Sequence, residues 1–541
     1  MAGKFNLLNE IRKLLSEKQI ADLLTFFVHV KSDHTYGQLA LDEIINGFDW
    51  KKSRTHISKL LAQQLPVEQL VPEQYSAWRV IVREAFIYIS AHLSIQRLIP
   101  KLIEQIRLPE DATLEQRLIT FIEQMPTLQK LGQVIARNRE LTPEFRTALI
   151  KLENDIRDIP AEKVKLLIED ELGTSLKDYQ VELEDMIHSE ASVCALLRFS
   201  WFKPKTKQRE QGVFKVLKPY IRDNFREEVL LLKGLAAHLD TIKEHVLKDV
   251  NLHETFAGIA DSLSQELDTL QEQTNLYKAD VLYNNVSGIR VPEIIRELST
   301  RNLTAMSFEE GKKVTDQTNK AISKQIIETL IAAPLFSVEE EALFHADPHA
   351  GNLYVDEKTG ELIVFDWALT GNLNREERGK IIMLFMAVTL RDENLLLNSL
   401  IGLSQDKLNL TKTEKLKDII ENFIDDLSLY RLPGVNDVLN LTDQVLMLGI
   451  RFSSALMLFR KVLLTLDGVL HDIGEELAIE NIVTQYVMQQ MTYSMNFWSQ
   501  SQTNFCVPLS HSDTLSLMWS AQWYGVRTSI KNTEKLFKQY Q

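Results

Sequence analysis

Three polar residues in the second half of the chain have the types and spacing suited to phosphoryl transfer. Asn352 follows Asp347 by five residues, and Asp366 comes after a further apolar run. In kinase-like folds the first aspartate orients the nucleophile, while the asparagine and the later aspartate hold Mg²⁺ against the nucleotide phosphates. We therefore predict Asp347 as the catalytic base, Asn352 and Asp366 as metal ligands, and ATP and Mg²⁺ as cofactors.

A short β-hairpin is predicted to position these residues. Apolar runs at 353–355 and 362–365 flank turn-forming residues at 357–360. Both loops that carry ligands would then emerge from one small sheet, which gives them rigid support. The proline between His345 and His349 argues against a helical metal-binding pair, so we interpret both histidines as bracing the loop.

The composition restricts the class of protein. The 541 residues suffice for two or three domains, or for one two-lobed enzyme with a large extension. A formal net charge of −14 argues against a nucleic-acid partner, and two cysteines fit a reducing cytosol. The longest apolar run, residues 381–390, is too short to span a bilayer. We expect a cytoplasmic protein without a transmembrane segment, or one that lies peripherally on a membrane.

Hydrophobic periodicity predicts an α+β architecture with a large helical N-terminal extension. Residues 4–125 read as helix throughout. Strand-like runs follow at 212–217, 289–291 and 303–306, and helical periodicity returns at 380–390, 445–466 and 479–491. This order is expected of a protein-kinase-like bilobal fold, with a small β-containing N-lobe and a helical C-lobe.

A kinase also needs a cation on the α/β-phosphates and a carboxylate that holds the cation in place. Lys215 lies in the apolar run at 213–217 and matches the strand lysine of a V-A-I-K-type motif. Its partner is expected among Glu266, Asp268 and Glu272. These three cannot share one helix face, because a residue two positions on lies about 200° round the helix.

Taken together, the motifs resemble those of the UbiB/AarF/ADCK family of atypical protein-kinase-like proteins, which is associated with ubiquinone biosynthesis. The resemblance runs over residues 128–491. Its most specific element is the K-x-G-Q signature at Lys130, Gly132 and Gln133. Further family motifs follow in order at 139–143, 152–155, 168–173, the E-x-D motif at 266–268, and the His-Ala-Asp-Pro-His-x-Gly-Asn box, in which Ala350 replaces the usual proline.

The resemblance implies roles for the nucleotide contacts. Lys215 would contact the α/β-phosphates, and Glu272 would pair with it. The resemblance also implies two further nucleotide contacts. One lies in the segment that takes the place of the family's Ala-rich loop, at Ala191 and Ser192. The other is a hinge over residues 307–311, at Ser307 and Glu309.

The K-x-G-Q helix is implied to cover the active site. Lys130 and Gln133 would approach Glu266 and Asp268, on the surface where an ordinary kinase accepts a peptide. The resemblance therefore implies an ATPase or small-molecule kinase, rather than a protein kinase acting in trans, that supports ubiquinone or other lipid metabolism. The predicted segments are the helical extension at 1–125, the K-x-G-Q segment at 126–185, the N-lobe at 186–312, the C-lobe at 313–490 and a helical tail at 491–541.

Two departures from the family pattern keep other functions open. The segment 189–197 lacks glycine and contains Glu190, which would place negative charge beside the phosphates if its side chain faced them. Ala368 stands where D-F-G has glycine. One alternative is a nucleotide-binding pseudokinase scaffold that recruits protein partners through its N-terminal helices. Another is a small-molecule phosphotransferase of the aminoglycoside or choline kinase type, although such enzymes lack the K-x-G-Q helix.

The C-terminal residues 515–541 combine an apolar and a basic stripe. Helical spacing relates Leu515, Met518, Trp519, Trp523, Val526 and Ile530, and likewise Arg527, Lys531, Lys535 and Lys538. The pattern suits a helix lying in a membrane interface and also a helix packed on the protein. A peripheral membrane contact through 515–541 and a lipid or quinone-precursor ligand are the remaining predicted partners.

Overall fold

The computed structural model describes residues 50–76, 78–109, 111–136, 159–191, 193–242, 252–284, 286–316, 320–428, 433–475, 479–495 and 507–539. The chain divides into two compact units. The first comprises Met1–Thr269 with Arg296–Ala305, and the second comprises Leu270–Ile295 with Met306–Gln541. Each unit has its own hydrophobic core. Within the described ranges, no helix combines the length and the apolar character needed to cross a membrane.

Much of the first unit is helical. They are α1 (Trp50–Gln64), α2 (Trp78–His92), α3 (Ile95–Arg107), α4 (Leu114–Ile122), α5 (Pro126–Ala136), α6 (Ala161–Leu172), α7 (Ser175–Asp178), α8 (Ile221–Leu239) and α9 (Leu252–Glu266). Apolar side chains spaced by three or four residues turn inward, and Leu61, Phe121 and Leu263 are buried in one core. The helical prediction is confirmed from residue 50 onward, while residues 4–49 lie outside the described residues.

A four-stranded sheet completes the first unit, with β1, β2 and β3 paired antiparallel. Its strands are β1 (Glu182–Glu190), β2 (Cys194–Lys203) and β3 (Gln208–Leu217), and β5 (Leu303–Ser307) lies beside β3. Alternating apolar residues bury one face, where the rings of Phe199 and Phe214 stack 3.9 Å apart. The predicted runs at 212–217 and 303–306 lie within β3 and β5. The run at 289–291 forms β4 (Ile289–Arg290) of the second unit.

The second unit is mainly helical. Its helices are α10 (Thr269–Tyr283), α11 (Lys320–Ile327), α12 (Arg375–Thr389), α13 (Glu393–Leu403), α14 (Leu410–Asp426), α15 (Val435–Met447), α16 (Ser454–Asp472), α17 (Ile479–Met495) and α18 (His511–Gln539). A π-helical turn at Glu328–Ala332 and the short helix Ala333–Leu335 extend α11. The apolar run at 381–390 forms most of α12, a helix buried along almost its whole length.

The prediction of one continuous helix over residues 445–466 is wrong. The chain leaves α15 at Met447, and Gly449 adopts φ +75°, a left-handed conformation that ends a helix readily. The next helix begins after Ser453, whose side chain accepts a hydrogen bond from the backbone N–H of Leu456. A glycine terminator and a serine cap therefore divide a segment whose apolar spacing alone suggested a single helix.

Short strands in the second unit support the predicted catalytic loops. They are β6 (Lys312–Lys313), β7 (Glu341–His345), β8 (Leu353–Val355), β9 (Leu362–Val364) and β10 (Thr370–Asn374). One sheet has the order β4-β9-β8-β6, and β7 pairs with β10. The pairing of Leu353 with Val364 confirms the predicted hairpin. The architecture is therefore α+β as expected, while the boundaries of the five predicted segments remain predictions.

Candidate phosphoryl-transfer site

The predicted base and metal ligands lie on loops that follow paired strands of the second unit. Asp347 follows β7, Asn352 closes a short 3₁₀ turn before β8, and Asp366 comes two residues after β9. The Asn352 side chain donates from Nδ2 to the carbonyl oxygen of Asp347 at 3.1 Å, and its own carbonyl oxygen accepts from the backbone N–H of Phe365 at 2.9 Å. Asn352 thus ties the two loops together.

His345 forms a second link between the same loops. Its Nδ1 accepts from the backbone N–H of Asp347 at 3.2 Å, so Nε2 carries the proton and donates to the carbonyl oxygens of Phe365 and Asp366 at 3.0 and 2.8 Å. Burial lowers the pKa of the imidazole, against the raising effect of these hydrogen bonds and of the carboxylates of Asp347 and Asp366. The neutral ring is the form that this pattern of one donor and one acceptor requires.

The backbone conformation of Asp366, the second predicted metal ligand, is unusual. Asp366 has φ +56°, in the left-handed region that few residues other than glycine adopt and that aspartate tolerates better than most. Ala368 does not share this conformation, so its methyl group fits the loop. Trp367 is buried between His345, at a ring distance of 4.8 Å, and Tyr283, at 5.6 Å.

Helix α10 supports this loop from the side. Asn275 is buried and donates from Nδ2 to the carbonyl oxygen of Trp367 at 3.1 Å, and its own Oδ1 accepts from Gln271 at 2.9 Å. Glu272, the predicted partner of Lys215, is buried in the first turn of the same helix. Because Lys215 belongs to the first unit and Glu272 to the second, their pairing stays a prediction.

The side chains of the predicted hinge are engaged by protein groups. Ser307 donates from Oγ to Glu309 at 2.6 Å, and Glu309 pairs with Arg290 at 3.2 Å. Arg290 also pairs with Asp356, which caps the turn of the β8–β9 hairpin. These contacts fix the segment, so a nucleotide base at this position would meet its backbone, as the resemblance implies.

In the first unit, Lys215 lies on β3 opposite Leu196 of β2 and is half-buried. Ala191 closes the loop between β1 and β2 by donating its N–H to the carbonyl oxygen of Cys194 at 2.9 Å. Ser192 lies outside the described residues.

Glu190 does not add an exposed negative charge to this loop. Its carboxylate is buried and lies 2.9 Å from Nζ of Lys218, and the two side chains are 3% and 0% exposed. Lys218 follows β3 and also donates its N–H to the carbonyl oxygen of Val193. The ion pair therefore compensates the charge that argued against nucleotide binding, and it joins the β1–β2 loop to the end of β3.

The K-x-G-Q and E-x-D motifs meet within the first unit. Lys130 on α5 forms an ion pair with Glu266 at the end of α9. Gly132 is buried and Asp268 is exposed, beyond the end of α9. The side chain of Gln133 lies outside the described residues.

Lys461 is a residue that sequence reasoning missed. It lies on α16, and its Nζ is 2.9 Å from Oδ1 of Asp347, while Nε2 of His349 is 3.9 Å from Oδ2. No sequence signal marks it, because it lies on an apolar helix far downstream of the motif box. The contact depends on tertiary packing of α16.

The donor set fits Mg²⁺. No group of three or more His, Cys, Asp or Glu side chains arranged for a metal occurs among the residues that the structure describes. A kinase-type magnesium site needs fewer protein ligands, because phosphate oxygens and water complete the coordination. Because Nδ2 of Asn352 donates to the Asp347 carbonyl, its amide oxygen and the Asp366 carboxylate would be the hard oxygen ligands, of the kind that Mg²⁺ prefers.

Comparison with known proteins connects the chain to a group of atypical kinases. Residues 151–400 match the model of the ABC1 atypical kinase-like domain. The Arabidopsis thaliana chloroplastic protein ACTIVITY OF BC1 COMPLEX KINASE 7 is 26% identical over 378 residues, 67% of this chain and 52% of that protein. The probable protein kinase UbiB of Actinobacillus pleuropneumoniae is 25% identical over 275 residues, 49% of this chain and 50% of that one.

Among solved structures, the Rv3197–erythromycin complex from Mycobacterium tuberculosis matches with 16% identity and a TM-score of 0.43, covering 72% of this chain and 97% of that one. The domain match confirms the predicted kinase-like fold. This chain spans about half the length of the two sequence relatives named above.

Proposed function

Because this chain carries an ABC1 atypical kinase-like domain and belongs with the UbiB/AarF/ADCK proteins, we propose that it binds ATP with Mg²⁺ and acts as an atypical kinase or ATPase. The observation that carries the proposal is the linked pair of loops in the second unit. Asn352 and His345 each bond to both the Asp347 loop and the Asp366 loop. Such cross-linking pre-organises the ligands before substrate arrives.

Each residue has a defined task in the proposed reaction. Asn352 and Asp366 would hold Mg²⁺, which when bound neutralises charge on the nucleotide phosphates. Asp347 would accept the proton of the attacking hydroxyl group or water. Lys215 would contact the α/β-phosphates, and Glu272 would hold that lysine. His345 keeps the aspartate loops in register without taking part in proton transfer, because its one N–H is donated to backbone carbonyl oxygens and its other ring nitrogen accepts from a backbone N–H.

We further propose that the acceptor is a small molecule or water and not a protein. The ion pair of Lys130 with Glu266 supports this, because it anchors α5 through the motif that the family uses to cover its substrate surface. The family resemblance also motivates a role in ubiquinone or other lipid metabolism, and recruitment of protein partners through the N-terminal helices remains a prediction.

Binding and hydrolysis of ATP test the proposal. Calorimetry with Mg²⁺ present should detect ATP binding by the wild type, weakened at least tenfold (about 1.4 kcal/mol) by Lys215→Ala or Asp366→Asn. Lys233→Ala and Asp418→Asn change exposed residues of α8 and α14 and should bind as the wild type does. No binding by the wild type would exclude both the kinase and the phosphotransferase. Binding without hydrolysis, even with lipid or phenolic quinone precursors added, would favour the pseudokinase scaffold.

The exposed face of α18 favours a membrane contact in addition. Leu517 and Ser520 are buried against the second unit, and Arg527 pairs with Asp392 at 2.8 Å. The predicted apolar stripe points away from these contacts. Its members are Leu515, Met518, Trp519, Trp523, Val526 and Ile530, and Trp519 is 65% exposed.

We propose that this apolar stripe inserts into the interface of an anionic membrane, since amphipathic helices with tryptophan and lysine bind there. Removal of residues 515–541 should lower binding to anionic liposomes without affecting ATP binding. The double variant Trp519→Ser, Trp523→Ser is the sharper test, because it keeps the contacts of Ser520 and Arg527 with Asp392. Unchanged co-sedimentation with liposomes would exclude the membrane contact.

A further inference from the structure

The loop that carries the predicted base holds no lysine or arginine of its own. Residues 347–352 read Asp-Pro-His-Ala-Gly-Asn and contain neither lysine nor arginine. A phosphoryl group in transfer spreads negative charge over its three equatorial oxygens, and a cation near the nucleophile stabilises that charge. A side chain that is always positively charged has to reach this side of the site from another element.

Helix α16 supplies one. Nζ of Lys461 lies 2.9 Å from Oδ1 of Asp347, so the two side chains form an ion pair. The Lys461 side chain is 39% exposed and that of Asp347 is 19% exposed. An ammonium group has three N–H donors, and one of them suffices for the carboxylate. A group that arrives at Asp347 from solvent therefore meets a lysine as well as the base.

Packing fixes this lysine in place. Phe459, two residues before Lys461, is buried and makes an edge-to-face contact with Phe344 of β7 at 5.4 Å. Phe344 lies three residues before Asp347, so the same aromatic pair positions the helix and the start of the loop. The neighbouring Arg460 points elsewhere, to an ion pair with Asp443 of α15.

We propose that Lys461 is a phosphate-binding residue that contacts the transferred γ-phosphoryl group while it orients Asp347. The inference rests on the proposed function. In the transfer, the oxygen of water or of an acceptor hydroxyl attacks the γ-phosphorus, its proton passes to Asp347, and the bond to the oxygen that leaves with ADP breaks. Lys461 keeps its proton throughout and acts by charge and hydrogen bonding alone.

The competing explanation is an ordinary half-exposed ion pair, which contributes little to stability or binding. The two explanations differ in their effect on nucleotide discrimination. A contact to the γ-phosphoryl group strengthens the binding of ATP and leaves that of ADP unchanged. An ion pair that only supports the fold affects both nucleotides equally or neither.

The test compares the affinities for Mg²⁺–ATP and Mg²⁺–ADP by calorimetry on the full chain. Lys461→Met keeps the aliphatic stem and removes the charge. We expect it to weaken ATP binding about tenfold, equivalent to about 1.4 kcal/mol, and to change ADP binding by less than about twofold. Lys461→Arg keeps the charge and should recover most of the ATP affinity. Arg460→Met is the matched control on the same helix and should bind both nucleotides as the wild type does.

Each other outcome overturns the inference. If Lys461→Met binds both nucleotides with wild-type affinity, the contact between Lys461 and Asp347 is only a surface ion pair. An equal loss for ATP and ADP would make Lys461 a structural residue, and a failure of Lys461→Arg to recover ATP affinity would exclude a role for its charge. If the wild type binds neither nucleotide, the proposed function itself fails and the inference fails with it. Nucleotide binding by the wild type therefore distinguishes a failure of the Lys461 inference from a failure of the proposed function.

Discussion

The buried ion pair of Glu190 with Lys218 provides a quantitative prediction about the sheet of the first unit. Burial of two opposite charges carries a desolvation cost that their attraction offsets only while both are present. The two side chains are 3% and 0% exposed, and the charged atoms are 2.9 Å apart, so removal of one charge leaves the other in a water-excluded site. We expect Lys218→Met to lower the free energy of unfolding of the sheet by about 3 kcal/mol.

Removal of both charges should cost much less. In the double variant Glu190→Gln, Lys218→Met, no charge remains to be buried, so we expect a loss within about 1 kcal/mol of the wild type. In a double-mutant cycle, the coupling is the sum of the two single losses minus the loss in the double variant. It should therefore be at least about 2 kcal/mol, and larger by whatever loss Glu190→Gln causes on its own. Hydrogen–deuterium exchange of peptides from β1, β2 and β3 at increasing urea concentration measures the stability of this sheet separately from the second unit.

Two results would refute this reasoning. A loss in the double variant equal to the sum of the losses in Lys218→Met and Glu190→Gln would show that the ion pair contributes no coupling. A large gain in ATP affinity in Glu190→Gln alone would show that the carboxylate does act on the phosphates, as its position in the sequence first suggested. We expect instead that ATP affinity changes by less than about twofold in the double variant, since both groups are structural.

Three further predictions concern the loops and the first core. Gly371→Ala should destabilise the protein by about 1–3 kcal/mol, because a Cβ atom there would lie 2.2 Å from Cζ of Phe344. Thermal unfolding measures this loss. Asn275→Ala should cost about 1–3 kcal/mol in the same assay, since it removes the buried hydrogen bond to the Trp367 carbonyl. Burial lowers the pKa of Lys101 to about 7, whereas a lysine in the unfolded chain has a pKa of about 10.4. Between these two pH values the unfolded chain binds more protons, so Lys101 should make the free energy of unfolding rise with pH, by up to about 1.4 kcal/mol per pH unit. Urea unfolding at several pH values should show that Lys101→Met lacks this contribution.

Controls separate these effects from general damage. Gly258→Ala adds a methyl group on α9 where no atom lies within 4 Å, and it should be neutral or stabilising. Wild-type stability in Gly371→Ala would contradict the close packing of the Phe344 ring. An unchanged pH slope in Lys101→Met would assign the pH dependence to other groups.

The part of the site that could be predicted from the sequence is the part encoded by local spacing. Asp347, Asn352 and Asp366 lie within 20 residues of one another, and the hairpin that holds them follows from apolar runs and a glycine turn. The same local signals predicted β3 around Lys215. The links that make the two loops one site, through His345 and Asn352, also arise within this segment.

Contacts made through tertiary packing were beyond the sequence. Lys461 meets Asp347 because Phe459 packs on Phe344, and neither aromatic residue marks its partner in the chain. The sequence suggested that Glu190 adds negative charge beside the phosphates, and its buried pairing with Lys218 removed that argument, because the direction of a side chain is set by the fold. In α18 the periodicity predicted a helix correctly. It did not predict which face is buried: Leu517 and Ser520 are buried and Trp519 is exposed only because of how the helix packs.

The setting of Trp367 makes it a built-in optical reporter of the loop next to it. Its indole is enclosed by Tyr283 and His345 and donates from Nε1 to the carbonyl oxygen of Val364 at 3.1 Å. A ring shielded from water in this way emits at shorter wavelength than the exposed Trp519 and Trp523 on α18, which are 65% and 44% exposed. Trp201 of the first unit is also buried, so a change in the conformation of Asp366, the immediate neighbour of Trp367, is read from the part of the blue-edge fluorescence that Trp367→Phe removes.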